Sequence, residues 1–489
     1  MFFSKQSPIL GVPVIPNGSW YAGHLHLMRE RDFEVCIRSF AVDYADEKGR
    51  CTFWMGPTTP ALSVTRYKDV QALLKVSSHR EIFPIMKGHL EHFFGKYNIA
   101  SLTGKEWKNK RAVFVKALHG SAFFEHNKSV IRTATLALVD RLETEEYVDD
   151  IQALLQMLTL DIFGQAMLHE NFGCCENLSL SRVARALQFL STEVMRRMTA
   201  DVLNPAAHLY FLPTAANRRY AEENAFLLSY IGKIVQSRRD LLKSNNEAVV
   251  PQDLLTALIQ NSEGDFMSEE MIFDVLKSLM FAGFDTTSVT MTFVLYLLSR
   301  HPEVEQKCIE EIESEPEDHV YLGAVIKETM RLYPPAISTT RSAERDLQVD
   351  DIHIPKGMYL YFPIWVIQRD EGHFPDPLVF IPERWARQDS DGVWRLRMFG
   401  ENDGINIPAG NPEAFLAFSA GARNCAGQRF ALQEMTIALS ILLKNYAFES
   451  RDDYELQLHR PGVVQCPKIP LPMKIKKRKK DSFINSGVE

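Results

Sequence analysis

Between Ser268 and Ser299 runs a helical pattern that only a thick, helical body can house. Ser268, followed by Glu269 and Glu270, makes a helix start: a hydroxyl cap with acids in the first turn. The pattern continues to just before Pro302, and about 31 residues at 1.5 Å each span ~46 Å. At its centre stands Ala282-Gly283-Phe284-Asp285-Thr286-Thr287. An Asp and two Thr in an otherwise apolar helix are costly unless each finds a partner. The plainest arrangement has Thr286 bonding back to a preceding carbonyl and bending the helix.

A second stretch, Phe418 to Gly427, holds a single cysteine between two glycines. Glycine lets backbone approach a flat ligand where a Cβ would collide. The apolar run Phe430 to Leu443 has helical spacing, so Cys425 sits just before a helix N-terminus, which favours a sulfur anion. A lone cysteine is ordinarily a small buried hydrophobe. Here Phe418, Gly421, Arg423, Cys425 and Gly427 fill every defined position of F-x-x-G-x-R-x-C-x-G, a frame that resembles the haem-binding signature of the cytochrome P-450 superfamily, in a microsomal-like form lacking an evident N-terminal anchor.

That resemblance extends from about Pro16 to Pro472 and carries further expectations. Trp107 and Arg111, at i and i+4 on a helix from about Lys105 to Leu118, match W-x-x-x-R and would bond a haem propionate; Arg341 matches another propionate ligand. Ala282 to Thr287 is similar to [A/G]-G-x-[D/E]-T-[T/S]. Gly283 would make room for dioxygen, and Asp285 with Thr286 would bring protons through water. Ala282 stands where some fatty-acid-hydroxylating relatives carry a haem-tethering Glu, and alanine cannot form that ester. Glu328 and Arg331 sit one helical turn apart before Pro334-Pro335, and Phe380 to Trp385 is similar to P-E-R-F/W. Glu328, Arg331 and Arg384 would then be a buried network, with Lys327 beside them outside the motif.

The resemblance implies a mainly α fold with small β-sheets: one cytochrome P-450 haem domain over 1–489, with a proline-rich lead-in at 1–25 and a basic tail at 474–489. It implies a haem b cofactor with Cys425 as iron ligand, and insertion of one atom of dioxygen into a small lipophilic substrate. No G-x-G-x-x-G is present, so electrons from NADPH would come through a separate flavoprotein reductase, or from a ferredoxin. The alternatives are an enzyme that uses or rearranges peroxides, against which Asp285-Thr286 speaks, and a non-catalytic haem sensor or carrier. Phe281, Phe284 and Ile337 suggest an apolar pocket. Met195, Met198, Phe211, Phe226 and Leu227 either line a cavity or, more commonly for such residues, fill the core.

Length alone, 489 residues, would suggest about three domains at ~150 residues each, but no boundary supports a split. A net charge of −7 without a basic, aromatic-rich stripe excludes a nucleic-acid partner. Seven scattered cysteines without C-x-x-C spacing argue against a disulfide framework or zinc site and for a reducing compartment. No signal peptide is evident and no run of 18 or more uncharged apolar residues occurs. The expected setting is the cytoplasm or the cytoplasmic face of the endoplasmic reticulum, as a monomer without a transmembrane segment.

Four local expectations complete the reading. Trp20 and Tyr21 are available to pin the lead-in, and Thr52 to Val64 reads as short strands about a turn at Gly56-Pro57, with helix from Tyr67. His89 and His92 read as solvated or capping residues. The helical pattern of the middle third is interrupted at Asn204-Pro205 and Leu212-Pro213, and the stretch Ala386 to Phe415, with Gly392, Gly400, Gly404 and Gly410, is longer than in most members of the family it resembles. Lys474 to Lys480 reads as a solvated terminus, open to contact with anionic lipid or an acidic partner.

Overall fold

A computed structural model describes residues 6–27, 33–198, 209–244, 250–251, 253–260, 268–314, 319–399, 409–459 and 464–478. Asn204-Pro205, Gly400, Gly404 and Lys479 onward therefore lie outside the described residues. The fold is mainly helical, with a four-stranded sheet, a three-stranded sheet and two-stranded hairpins at its margins.

The four-stranded sheet is built from β1 (Arg50–Trp54), β2 (Pro60–Val64), β4 (Thr339–Ser342) and β5 (Tyr359–Phe362) in the order β1-β2-β5-β4. β1 and β2 form the expected hairpin. β2 and β5 pair in parallel, Leu62 opposite Leu360, and β4 returns antiparallel with Arg341 opposite Leu360. Against the sheet lies α1 (Tyr67–Val76), whose Val70, Leu73 and Leu74 are buried.

The lead-in is pinned, though by other residues than expected. Trp20 and Tyr21 remain 69% and 59% exposed, while Ile9, Val12, Ile15 and Leu25 are buried. His24 provides the polar tie: its Nε2 lies 2.7 Å from the Ile15 carbonyl and its Nδ1 accepts from the Trp54 N–H at 2.9 Å. A small aliphatic side chain buries completely in this seam, whereas the two large rings project past it.

The helical body comprises α2 (Pro84–Phe94), α3 (Gly104–Leu118), α4 (Ser121–Arg141), α5 (Ile151–Phe163), α6 (Arg182–Met198), α7 (Ala215–Lys243), α8 (Glu269–Arg300), α9 (Pro302–Ser314), α10 (Val320–Leu332) and α11 (Gln428–Asn445). α8 is the predicted rod. Ser268 Oγ accepts from the Met271 N–H at 3.3 Å, and its 32 residues span ~48 Å. It packs most extensively on α5; α5 with the helical turn that continues it (Ile151–Leu168), and α8, are apolar and long enough to cross a membrane by length and composition alone, and are 72% and 67% buried over those windows. Met198 and Leu227 join the core, Met195 lines a cavity, and Phe211 is 79% exposed.

Two expectations are corrected here. His89 is 1% exposed, with Nδ1 2.9 Å from Tyr210 Oη, and the His92 ring lies 3.7 Å from that of Tyr210. The aromatic residues of a distant segment, rather than solvent, surround the His89 imidazole, whereas His92 lies against Tyr210 and stays exposed as expected. The basic run Lys474 to Lys477 belongs to β7 (Met473–Lys477), which lies between β6 (Tyr446–Ser450) and β3 (Tyr147–Val148). Met473 and Ile475 point inward at 0% and 4% exposure while Lys474, Lys476 and Lys477 face out, an alternation that a half-buried strand requires. Arg478 continues the attachment through an ion pair with Glu305.

Candidate functional site

The cysteine loop is a short turn, Gly421–Arg423, leading into α11. Gly421 has φ +71°, and a Cβ there would lie 2.3 Å from the Leu74 carbonyl oxygen. Glycine thus allows the loop to press on α1. Gly427 has φ −87° and open space around its would-be Cβ, so the surrounding chain does not demand glycine there. The Cys425 N–H donates to the Phe418 carbonyl at 2.8 Å, closing the loop. The Cys425 side chain is exposed. Burial of its surroundings pushes the thiol pKa up, against the pull of the Gly427 N–H and the Arg111 charge.

Around this loop gather four guanidiniums. Arg111 donates through Nη2 to the Asn424 carbonyl at 2.8 Å and to Asn424 Oδ1 at 2.6 Å, and so holds the residue before the cysteine. Arg423 donates to the carbonyls of Ser78 and Leu102 at 2.8 and 2.6 Å and lies 3.7 Å from the Trp107 ring centre. Arg341, on β4, reaches the Ala420 carbonyl at 3.1 Å, and its buried Nε has no hydrogen-bond partner. Burial first, then repulsion from Arg80 and Arg111, pulls Arg341 down to about 9. Burial and the charges of Arg80, Arg341 and Arg111 bring Arg423 likewise to about 9.

The centre of α8 satisfies its hydroxyls internally. Thr286 Oγ1 donates to the Ala282 carbonyl at 3.0 Å and Thr287 Oγ1 to that of Gly283 at 2.9 Å, the back-bonded arrangement that stood as the plain alternative to a proton relay. Gly283 has a packing reason for its lost side chain, since a Cβ would lie 2.6 Å from Phe163 on α5. Asp285 turns to α5 as well, accepting from Gln156 Nε2 at 3.0 Å. Burial raises its pKa and the Gln156 bond lowers it in part. Phe281 and Phe284 line a cavity with Asp285, whereas Ile337 packs separately with Ile37 and Trp365.

Below the loop, the Glu328 side chain is completely buried. Arg331 clasps it with Nε at 2.9 Å and Nη2 at 2.8 Å, and Arg384 Nε adds a bond at 3.2 Å. Trp385 Nε1 and the Ile381 N–H complete its coordination at 2.8 and 3.1 Å. Arg331 also donates to the carbonyls of Gln368, Pro377 and Val379, and Arg384 to that of Asp376. The expected trio is therefore one network that fastens the 376–385 segment to α10.

With this geometry in hand, comparison with known proteins settles the family. A sequence model described as Cytochrome P450 matches residues 13–474. This chain belongs to the cytochrome P450 family. It is similar to cytochrome P450 4ae1 of Drosophila melanogaster, 31% identical over 70% of this chain and 69% of that protein. It is also similar to human cytochrome P450 4V2, at 25% identity over 98% and 92%, and to mouse cytochrome P450 4F3, at 26% over 94% and 89%.

As a P450 the chain is a haem-dependent monooxygenase, an oxidoreductase of mainly α fold. Its residues fit that cofactor. Four mutually repelling guanidiniums, one with an orphaned buried N–H, suit a group carrying two carboxylates, and the exposed Cys425 thiol in their midst suits its iron. Among the described residues no group of three or more His, Cys, Asp or Glu could hold a metal ion in the P450 by itself.

Sequence reasoning missed four participants. Arg80 joins the cationic cluster without any spacing signal. Gln368 ties α10 to the loop, accepting from the Leu416 N–H at 2.7 Å while donating to the carbonyls of Met330 and Arg331. Glu434 on α11 is 1% exposed beside Thr287, and burial pushes its pKa well up. Gln156 holds Asp285. The apolar company of Glu434 and Gln156 in two helical stripes was their one available signal.

Proposed function

We propose that this P450 would hold haem through the Cys425 thiolate. Arg111, Arg341, Arg423 and the Trp107 N–H would receive its propionates. Phe418, Gly421 and Gly427 shape the cysteine loop, Ala282 and Gly283 form the helical surface facing it, and Asp285 with Thr286 handles protons. The observation that supports this most directly is the convergence of Arg111, Arg341 and Arg423 on the loop that carries an exposed thiol. Bound haem supplies the redox and oxygen-splitting chemistry, which a thiolate ligand favours.

The residues of this chain contribute binding, orientation and proton control. A buried Asp with a raised pKa is able to hold a proton near neutrality and return to the ionised state. Thr286, bonded to Ala282, offers a hydroxyl that passes such a proton on. The substrate is a small lipophilic molecule. Electrons come from NADPH through a separate flavoprotein reductase, the P450 acting as a monomer at the cytoplasmic face of the endoplasmic reticulum. The Asp285-Thr286 pair favours reductive oxygen activation over peroxide use.

The test is spectroscopic. Reduced, carbon-monoxide-bound protein is expected to show the red-shifted Soret band of thiolate ligation, and Cys425→Ala to lose it; an unchanged band overturns the assignment. Reconstitution with a flavoprotein reductase against a ferredoxin, read as NADPH-dependent product, decides the donor.

A further inference from the structure

The two members of the proposed proton pair look in different directions. Asp285 lines a cavity of about 290 Å³ together with Gln156, Gln188, Ser191 and Thr192, to which neither Thr286 nor Cys425 contributes. Gln156, 9% exposed, donates to Asp285 Oδ1 at 3.0 Å, and Gln188 Nε2 lies 3.5 Å from Gln156 Oε1. Thr159 Oγ1 donates to the Phe284 carbonyl at 3.0 Å and the Gln156 carbonyl at 3.2 Å, which locks the turn of α5 bearing Gln156 to the turn of α8 bearing Asp285.

We propose that Gln156 is a positioning residue that holds the Asp285 carboxylate in this cavity, where it regains a proton from solvent, and thereby sets the pH at which the Asp285-Thr286 pair works. The inference rests on the proton-handling reading above. A buried carboxyl left alone stays protonated, and a donor aimed at its oxygen favours the ionised form. In each cycle the Asp285 acid gives its proton toward Thr286, becomes a carboxylate, and recovers a proton from water in the cavity. A neutral amide suits that duty. It stabilises the carboxylate yet releases it without separating an ion pair.

Three elements complete the cavity wall, and two of them bring titratable groups. Asp150 caps α5, Cys466 and Lys468 lie on the C-terminal segment, and α6 presents the uncharged Gln188, Ser191 and Thr192. Burial first, then the charges of Asp285 and Asp150, raise the Cys466 thiol to about 12, so Cys466 stays neutral through the working range.

The experiment measures product formed per NADPH against pH in the haem-loaded enzyme and three variants, Gln156→Met, Gln156→Glu and Asp285→Asn. It is paired with infrared titration of the protonated-carboxyl band in the resting protein. Coupling is expected to fall as pH rises through the Asp285 pKa, and Asp285→Asn to remove both that limb and the band. Gln156→Met should move both upward by roughly one pH unit, and Gln156→Glu, which adds a like charge, further in the same direction. A merely structural role lowers haem loading and leaves the limb in place. Limb and band at the wild-type pH in either Gln156 variant overturn the positioning role while the proton pair stands. If Asp285→Asn leaves the limb unchanged, the proton-handling reading itself fails, and this inference with it. Either Gln156 variant is enough if the other does not load haem.

Discussion

The guanidinium of Arg423 lies 3.7 Å from the centre of the Trp107 ring, and that of Arg111 lies 5.8 Å from it. Two motifs more than three hundred residues apart in sequence are thus one stack. A desolvated cation over indole contributes up to about 2 kcal/mol, and truncating a buried Trp costs about 3–5 kcal/mol. Trp107→Ala should load little haem, whereas Trp107→Phe, which keeps a ring face, should retain most loading. Haem absorbance relative to protein is the measurement; equal loading by both variants would show that the stack is dispensable.

Removing either Arg partner of Glu328 leaves charge unpaired where no water reaches, at about 3–5 kcal/mol, a large part of a domain's usual ~5–15 kcal/mol. Glu328→Ala and Arg331→Ala should therefore give little haem-loaded protein. Lys327 is no neutral control, because its Nζ lies 3.9 Å from the Trp385 ring centre and burial lowers its pKa to about 8. Lys444, exposed on α11, serves instead, and Lys444→Ala should load normally.

The two loop glycines should separate. Gly421→Ala meets the Leu74 carbonyl and a left-handed backbone at once, the latter alone costing ~1–2 kcal/mol. Gly427→Ala meets neither. Thermal unfolding of the haem-free proteins should show a lowered Tm for the first and little change for the second; equal Tm values would refute the distinction.

Burial first, then Arg197 and Lys277, hold His92 below its ordinary value of 6.5. The unfolded chain therefore takes up this proton before the folded one does, and stability complete above pH 6.5 is lost as pH falls. His92→Gln should lose less Tm than wild type between pH 7.5 and pH 5.5, both ~1 unit from the histidine midpoint. Identical losses would remove His92 as a cause.

Thr286→Ala should leave the carbon-monoxide band intact while diverting reducing equivalents to hydrogen peroxide, because the proton supply loses its hydroxyl. Product per NADPH is the readout. An unaltered ratio takes Thr286 out of the mechanism.

What could be read in the chain was whatever depends on local pattern. The helix Tyr67–Val76 and the long rod with its Ser268 cap follow from periodicity and capping. The Glu328 trio followed from motif spacing. Side-chain direction was not legible: that Asp285 faces α5, or that Gly283 yields to Phe163, depends on where a second helix lies. His89 was misjudged because Tyr210 is 121 positions away. In Lys474–Lys477 the conspicuous charges hid the alternation of Met473 and Ile475, which is what packs.

The last described strand sets the order in which the molecule can be completed. Met473 pairs with Val148, and the Ile151 N–H donates to the Leu471 carbonyl at 3.0 Å, at the head of the helix that presents Gln156. A nascent chain cannot close that sheet, or fix that helix end, until residue 477 has left the ribosome. Such distant pairing is slow to form, so this sheet and the head of the helix that presents Gln156 are among the last parts of the molecule to close.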